Sequence, residues 1–229
     1  DPPYGLGNKT VGSDKVDLTN RNSQQKFTRH KWDDNIPLDN YFDELFRVSK
    51  RQIIWGGNYF PYIWKNGCRG LITWDKMVYI PTMSQIEYAW YSEDKLPKLI
   101  KINNTDINRL HPTQKPVQLY NWLLDTYAEE GHKILDTHLG SGSIALACHN
   151  RGYDLTACEL DSVYYEKALK RLKIHKQQLT IFFGNPFLTA EDGLAEEPDW
   201  SKLTMWEDIG RRYLGRELDP SDRSSKGFR

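Results

Sequence analysis

The stretch KILDTHLGSGSIALACHNRGYDLTACEL, residues 133–160, reads as strand, glycine turn, helix and strand. Lys133 to Asp136 is a short apolar strand, Leu139-Gly140-Ser141-Gly142 breaks it, Ser143 to Arg151 runs as a helix closed by Gly152, and Leu155 to Glu159 is a second strand. A strand joined to the next by a helix returns parallel to it, because the crossover carries the chain back to its starting edge. Further along, Tyr165, Ala168, Leu169 and Leu172 predict another helix with one apolar face, and Thr180 to Phe183 a further strand. Upstream, a helix starts at Pro116 with Tyr120, Leu123, Leu124 and Tyr127 facing inward and Gly131 as its stop. This rhythm implies an α/β fold with a mostly parallel, doubly wound sheet and helices on both faces.

The first half has a different pattern. Leu38, Tyr41, Phe42, Leu45 and Phe46 recur at helical spacing, and strands are predicted at Gln52 to Trp55, Leu71 to Trp74, Ile86 to Tyr91 and Leu99 to Ile102. Gly56-Gly57-Asn58, Pro97 and Asn103-Asn104 punctuate them. Only Gly5 to Asn35 and the chain after Gly184 read as poorly structured, apart from a short helix suggested by Trp206, Ile209 and Tyr213. With 229 residues, 38% of them hydrophobic, one core of α/β size is expected. The expected organisation is one domain over residues 1–183 and a C-terminal extension over 184–229, with a basic loop at 5–35 and a short recognition segment at 92–110.

Lys and Arg together number 31, as do Asp and Glu, so overall charge is silent about partners. The local distribution is not. Lys9, Lys15, Arg21, Lys26, Arg29 and Lys31 face only Asp14 and Asp17 between Gly5 and Lys31, which suits contact with a polyanion as well as it suits a solvated loop. Cys68, Cys148 and Cys158 are odd in number and widely spaced, as expected of reduced thiols. No metal site is indicated, and neither a signal peptide nor an apolar stretch of membrane-spanning length is found, so a soluble, cytoplasmic protein is expected.

Three motifs carry the chemistry. The glycine turn lies at the carboxyl end of a strand, where such sheets bind ligands, and Glu159 at the end of the next strand can accept bonds from a pair of ribose hydroxyls. Packing or a dinucleotide would explain the turn as well. Asp136 beside it favours a methyl donor with a cationic methionine group, since a carboxylate repels a diphosphate. His111-Pro112-Thr113-Gln114-Lys115-Pro116 places several donors in a short extended run before a helix, where Thr113 and Lys115 could hold a carboxylate. Asp1-Pro2-Pro3-Tyr4 combines two acceptors, the Asp1 carboxylate and the Pro2 carbonyl, with an aromatic ring. It reads either as a Pro-rich turn or as a site that holds an amino group and stacks on the base bearing it.

Asp1 to Gly5, His111 to Pro116, Asp136 to Ser143 and Glu159, in that order, resemble the β-class DNA amino-methyltransferases, in which the catalytic motif precedes the cofactor motifs. Arg47 to Phe60, with Ile53-Ile54-Trp55-Gly56-Gly57-Asn58-Tyr59-Phe60, looks like the phage and prophage members. The resemblance covers roughly Asp1 to Phe183 and implies a Rossmann-like S-adenosylmethionine-dependent methyltransferase fold with an antiparallel edge to its sheet. It implies S-adenosyl-L-methionine as cofactor, bound by Asp136, Thr137, His138, Leu139, Gly140, Ser141, Gly142, Glu159, Leu160 and Asp161, together with His111, Thr113, Gln114 and Lys115. Asp1, Pro2, Pro3 and Tyr4 would then be catalytic, acting on N6 of an adenine flipped out of double-stranded DNA.

Departures from the family pattern carry expectations of their own. Thr137-His138 stands where Pro-Phe is common, and His138 is expected to pack like the aromatic it replaces. A strand is expected ahead of Asp1 to deliver the motif to the sheet edge. The interval between Tyr91 and His111 is too short for a recognition domain, so DNA contacts are assigned to the basic loop and to Arg109, with a homodimer as one way to add surface. Cytosine N4 is the nearest alternative target; Asp rather than Ser at position 1 favours adenine. A non-catalytic DNA-binding module of the same fold is the alternative of a different class.

Overall fold

The computed structural model describes residues 1–7, 33–65, 67–79, 84–104, 109–183 and 203–204. Lys9, Lys15, Arg21, Lys26, Arg29 and Lys31 of the basic loop, and the helix suggested at Trp206, Ile209 and Tyr213, lie outside the described residues. The described residues gather into two compact units, one up to Pro116 and one from Val117.

The first unit is built on a four-stranded sheet in the order β1-β3-β2-β4, comprising β1 (Ile53–Trp55), β2 (Gly70–Asp75), β3 (Ile86–Tyr91) and β4 (Lys98–Lys101). β3 pairs antiparallel with β1 and with β2, whereas β2 and β4 run parallel. Ile72 and Trp74, two apart on β2 and therefore on one face, are both fully buried. The Trp74 indole N–H donates to the Ile102 carbonyl at 2.9 Å, which satisfies its one polar atom. Helix α1 (Asp39–Val48) places Phe42 against Phe60, with ring centroids 5.3 Å apart, and Phe46 against Trp90 at 5.9 Å. Leu38 departs from the expected stripe: it precedes the first helical residue and is 45% exposed.

The second unit has a parallel sheet in the order β5-β6-β7, formed by β5 (Lys133–Asp136), β6 (Asp154–Cys158) and the short β7 (Leu203–Thr204). Around it lie α2 (Val117–Tyr127), α3 (Ser143–Arg151) and α4 (Ser162–Phe183). Every residue of α3 from Ser143 to Cys148 is buried, which accounts for its small side chains Ala145 and Ala147. Gly152 closes α3 in the left-handed conformation at φ 70°, and its N–H reaches the Cys148 and His149 carbonyls.

The α/β class is as the sequence implies, with parallel pairing at β5-β6 and an antiparallel edge at β1, β3 and β2. The strands are distributed over two sheets. Thr180 to Phe183 is a correction: these residues are the last turn of α4, where a strand is predicted. No Gly or Pro stands between Ser162 and Phe183, so the established helix propagates through these β-branched and aromatic residues. No helix among the described residues is long and apolar enough to cross a membrane.

Candidate functional site

Asp1-Pro2-Pro3-Tyr4 is fixed from several directions within the first unit. The Asp33 carboxylate, on a residue only 4% exposed, accepts the backbone N–H groups of Tyr4 at 2.6 Å and Gly5 at 3.1 Å. The Tyr4 hydroxyl donates to Asp1 Oδ1 at 2.5 Å, and Lys115 Nζ is ion-paired with Asp1 Oδ2. Tyr4 lies flat against Tyr59, with centroids 4.9 Å apart and planes 17° from parallel. Gly56 makes this fit possible. Its φ is +69°, and a Cβ there would stand 2.1 Å from Tyr4 Cε1.

The His111 to Pro116 segment does not lie extended as expected. The Gln114 N–H bonds the His111 carbonyl at 3.1 Å, closing a turn for which Pro112 supplies the preset φ. Thr113 Oγ1 lies 3.0 Å from His111 Nδ1. Gln114 is a brace, since its Oε1 accepts the Leu110 N–H at 2.9 Å. Lys115, placed by sequence at a cofactor carboxylate, has a side chain 2% exposed and sits between Asp1 and Glu87, whose Oε2 is 3.2 Å from Nζ. Arg109 donates to the Asn104 carbonyl.

Sequence reading misses Glu87, Lys76, Asp33 and Tyr59. Glu87 accepts a second cation, Lys76, at 2.7 Å. Burial alone would raise its carboxyl, but the ammonium groups of Lys115 and Lys76 more than offset this and hold it below the usual glutamate value. The signal available was a carboxylate inside the otherwise apolar strand Ile86–Tyr91, facing a lysine at the end of another.

The glycine turn is ordered by the second unit's own residues. Leu139 N–H bonds the Cys158 carbonyl at 2.7 Å, and Gly140 N–H bonds Glu159 Oε2 at 2.6 Å. Gly140 and Gly142 both have positive φ, at 55° and 74°. A Cβ at Gly142 would meet Ala168 Cβ at 3.0 Å, so the turn packs directly on α4. Arg171 on α4 braces the loop, donating to the Ser141 carbonyl at 3.0 Å and to Ser143 Oγ at 2.9 Å. Gly140, Gly142 and Ala145 meet the spacing of a dinucleotide loop, so the distinction from such a site rests on the carboxylates of Asp136 and Glu159.

Glu159 also accepts the Asp161 N–H through Oε1 at 3.0 Å. Each carboxylate oxygen has two lone pairs, so acceptor capacity remains for two hydroxyl groups. Burial raises the Glu159 carboxyl despite its two backbone N–H bonds. Leu160 beside it is 62% exposed. Asp161 serves as the cap of α4, accepting the N–H groups of Val163 at 2.9 Å and Tyr164 at 3.2 Å. Asp136 accepts the His138 N–H at 3.0 Å, and Thr137 Oγ1 lies 3.0 Å from His138 Nδ1. Desolvation draws the His138 imidazole down to about 3, so the ring is neutral near pH 7.

A family described as DNA methylase matches residues 55–170, just over half of the chain, and a family of unknown function matches residues 173–215. A putative methylase, YubD, of Escherichia coli K12 is 26% identical over 199 residues, covering 75% of this chain and 79% of that protein. The type II methyltransferase M.HpaI of Haemophilus parainfluenzae is 34% identical over 62 residues, covering 27% of this chain and 20% of that protein. A solved structure of the M1.HpyAVI–SAM complex is 21% identical, covering 53% of this chain and 74% of that one, with a TM-score of 0.44.

Proposed function

This chain belongs to the N6/N4 DNA methylase family, and we propose that it methylates N6 of an adenine flipped out of double-stranded DNA. The observation that carries this reading is the Asp1 carboxylate, braced through one oxygen by Tyr4 and through the other by Lys115. A carboxylate offers about four acceptor positions, so two bonds still leave it able to accept the N–H groups of an amine. With the Pro2 carbonyl as a second acceptor, the amine would be held with its lone pair directed away from both. Catalysis of this kind depends on orientation more than on a strong base, because an aryl amine needs alignment and exclusion of water.

The methyl donor is S-adenosylmethionine, which supplies a methyl group on a cationic sulfur when bound. The residues of the second unit fit it. Asp136 suits its ammonium group, the glycine turn allows close backbone approach, Glu159 keeps acceptor capacity for ribose hydroxyls, and exposed Leu160 offers apolar surface. Lys9, Lys15, Arg21, Lys26, Arg29, Lys31 and Arg109 are assigned to DNA phosphates. A homodimer would extend that surface.

The test is transfer of labelled methyl to unmodified duplex DNA, followed by mass spectrometry of the digested nucleosides. N6-methyladenine is the expected product. N4-methylcytosine would overturn the base assignment and keep the chemistry, whereas cofactor binding with no modified base would leave a DNA-binding module. Gly56→Ala tests the geometry separately, since its methyl would displace the Tyr4 ring. The left-handed backbone costs about 1–2 kcal/mol with any other residue. Displacing the ring by an ångström should slow single-turnover transfer roughly tenfold to a hundredfold, with the circular dichroism of the fold retained.

A further inference from the structure

We propose that Glu87, backed by Lys76, is a positioning residue that sets the Lys115 ammonium against the Asp1 carboxylate. The inference rests on the reading of Asp1 as the group that holds the target amine. Charges alternate in a continuous line from Lys76 to Glu87 at 2.7 Å, from Glu87 to Lys115 at 3.2 Å, and from Lys115 to Asp1. Lys76 and Lys115 side chains are 11% and 2% exposed, so neither cation is dispersed in bulk water. A single buried lysine facing a single carboxylate could neutralise it without fixing where it points, because an ammonium on a flexible stem adapts to its partner.

The second anion removes that freedom. Glu87 belongs to β3, where it stands opposite Trp74 of β2 in an antiparallel register, so its carbon skeleton is set by the sheet. Lys76 immediately follows β2, and its N–H donates to the Gln85 carbonyl at 3.0 Å. The Glu87 carboxylate is thereby held from both sides, and Lys115 must lie where it satisfies both Glu87 and Asp1. Trp55 on β1 borders the same ammonium, its ring centroid 5.4 Å from Nζ. Tyr4 OH, 3.4 Å from Nζ, completes the group around Asp1. Asp1 therefore meets the amine with its two braced lone pairs already committed, and the remaining ones at a fixed angle.

The experiment compares the full chain with Glu87→Gln and Glu87→Asp. Glu87→Gln keeps the shape and removes the charge, so Lys115 loses one of the two anions that place it. The expected result is a fall in kcat of about tenfold or more, as for loss of one orienting electrostatic contact, with KM for DNA and for cofactor within about twofold of the parent. Glu87→Asp, which keeps the charge on a shorter stem, should recover part of kcat. A variant that lost activity merely through poor folding would lose binding as well and would not be rescued by charge. A structure of Glu87→Gln should show Lys115 shifted relative to Asp1. Unchanged kcat in Glu87→Gln, or an undisturbed Lys115–Asp1 pair in its structure, overturns the inference. If the parent chain methylates no base, the functional reading fails, and the structure of the variant still decides whether Glu87 places Lys115.

Discussion

Asp1→Asn is expected to lower kcat for methyl transfer by roughly 10²–10³-fold, the usual effect of removing one preorganised electrostatic partner from a reacting group, while cofactor affinity stays near that of the parent. The substitution is nearly isosteric, so its effect is chemical. An amide has one acceptor oxygen in place of two and presents an NH2 where the second oxygen stood. In the native arrangement Tyr4 OH and Lys115 each take one carboxylate oxygen. With Asn, either the amide oxygen turns to one donor and its NH2 confronts the other, or both donors compete for one atom. The first arrangement leaves one acceptor lone pair where the carboxylate kept two and sets an NH2 against a donor, and the second leaves none. Single-turnover kinetics at saturating DNA measures the loss, and isothermal titration with cofactor shows whether binding survives. Transfer at the parental rate would remove Asp1 from the mechanism.

The glycine turn and the elements beside it were legible because their signals are local. The bounds of β5 and α3 coincide with the residues read from sequence, since an apolar run, a Gly pair in positive φ and a closing Gly each act within a few residues. At Thr180 to Phe183 local propensity misled: β-branched and aromatic residues extended an existing helix, where adding a residue is cheaper than nucleating a strand. Asp33 shows a different limit. It falls in a stretch that reads as loose, yet it is buried and accepts two backbone N–H groups nearly thirty positions away in sequence. The motif points to Lys115 but not to its partners. Glu87 and Asp1 reach it only through tertiary approach, and no local pattern encodes which carboxylate a lysine will meet.

Lys115→Met should be the most destabilising single change at this site, costing about 3 kcal/mol at neutral pH. Breaking a buried ion pair by removing one partner costs about 3–5 kcal/mol, because the surviving charge stays behind without compensation. Here the lost cation serves two anions, Asp1 and Glu87, which argues for the upper end. Their side chains are 16% and 22% exposed, however, so water can solvate part of each stranded charge, and the lower end is expected. Methionine matches the length and the apolar stem, which limits any cavity term. The pH dependence separates this electrostatic cost from lost packing. Glu87 in the parent is held below its ordinary value, so its contribution is fully present above about pH 4.5 and is lost as pH falls through the lowered value. In Lys115→Met the same carboxylate keeps Lys76 but loses one of its two cationic neighbours, and can take up a proton at higher pH. The unfolded state is the same for both, so the difference between parent and variant in urea unfolding free energy should be full while Glu87 is ionised in both and shrink as pH falls from the variant's higher titration towards the parent's lowered one. A difference that stays constant over that range would mean that Lys115 contributes through its stem, and that the line of charges from Lys76 to Asp1 does not govern the site.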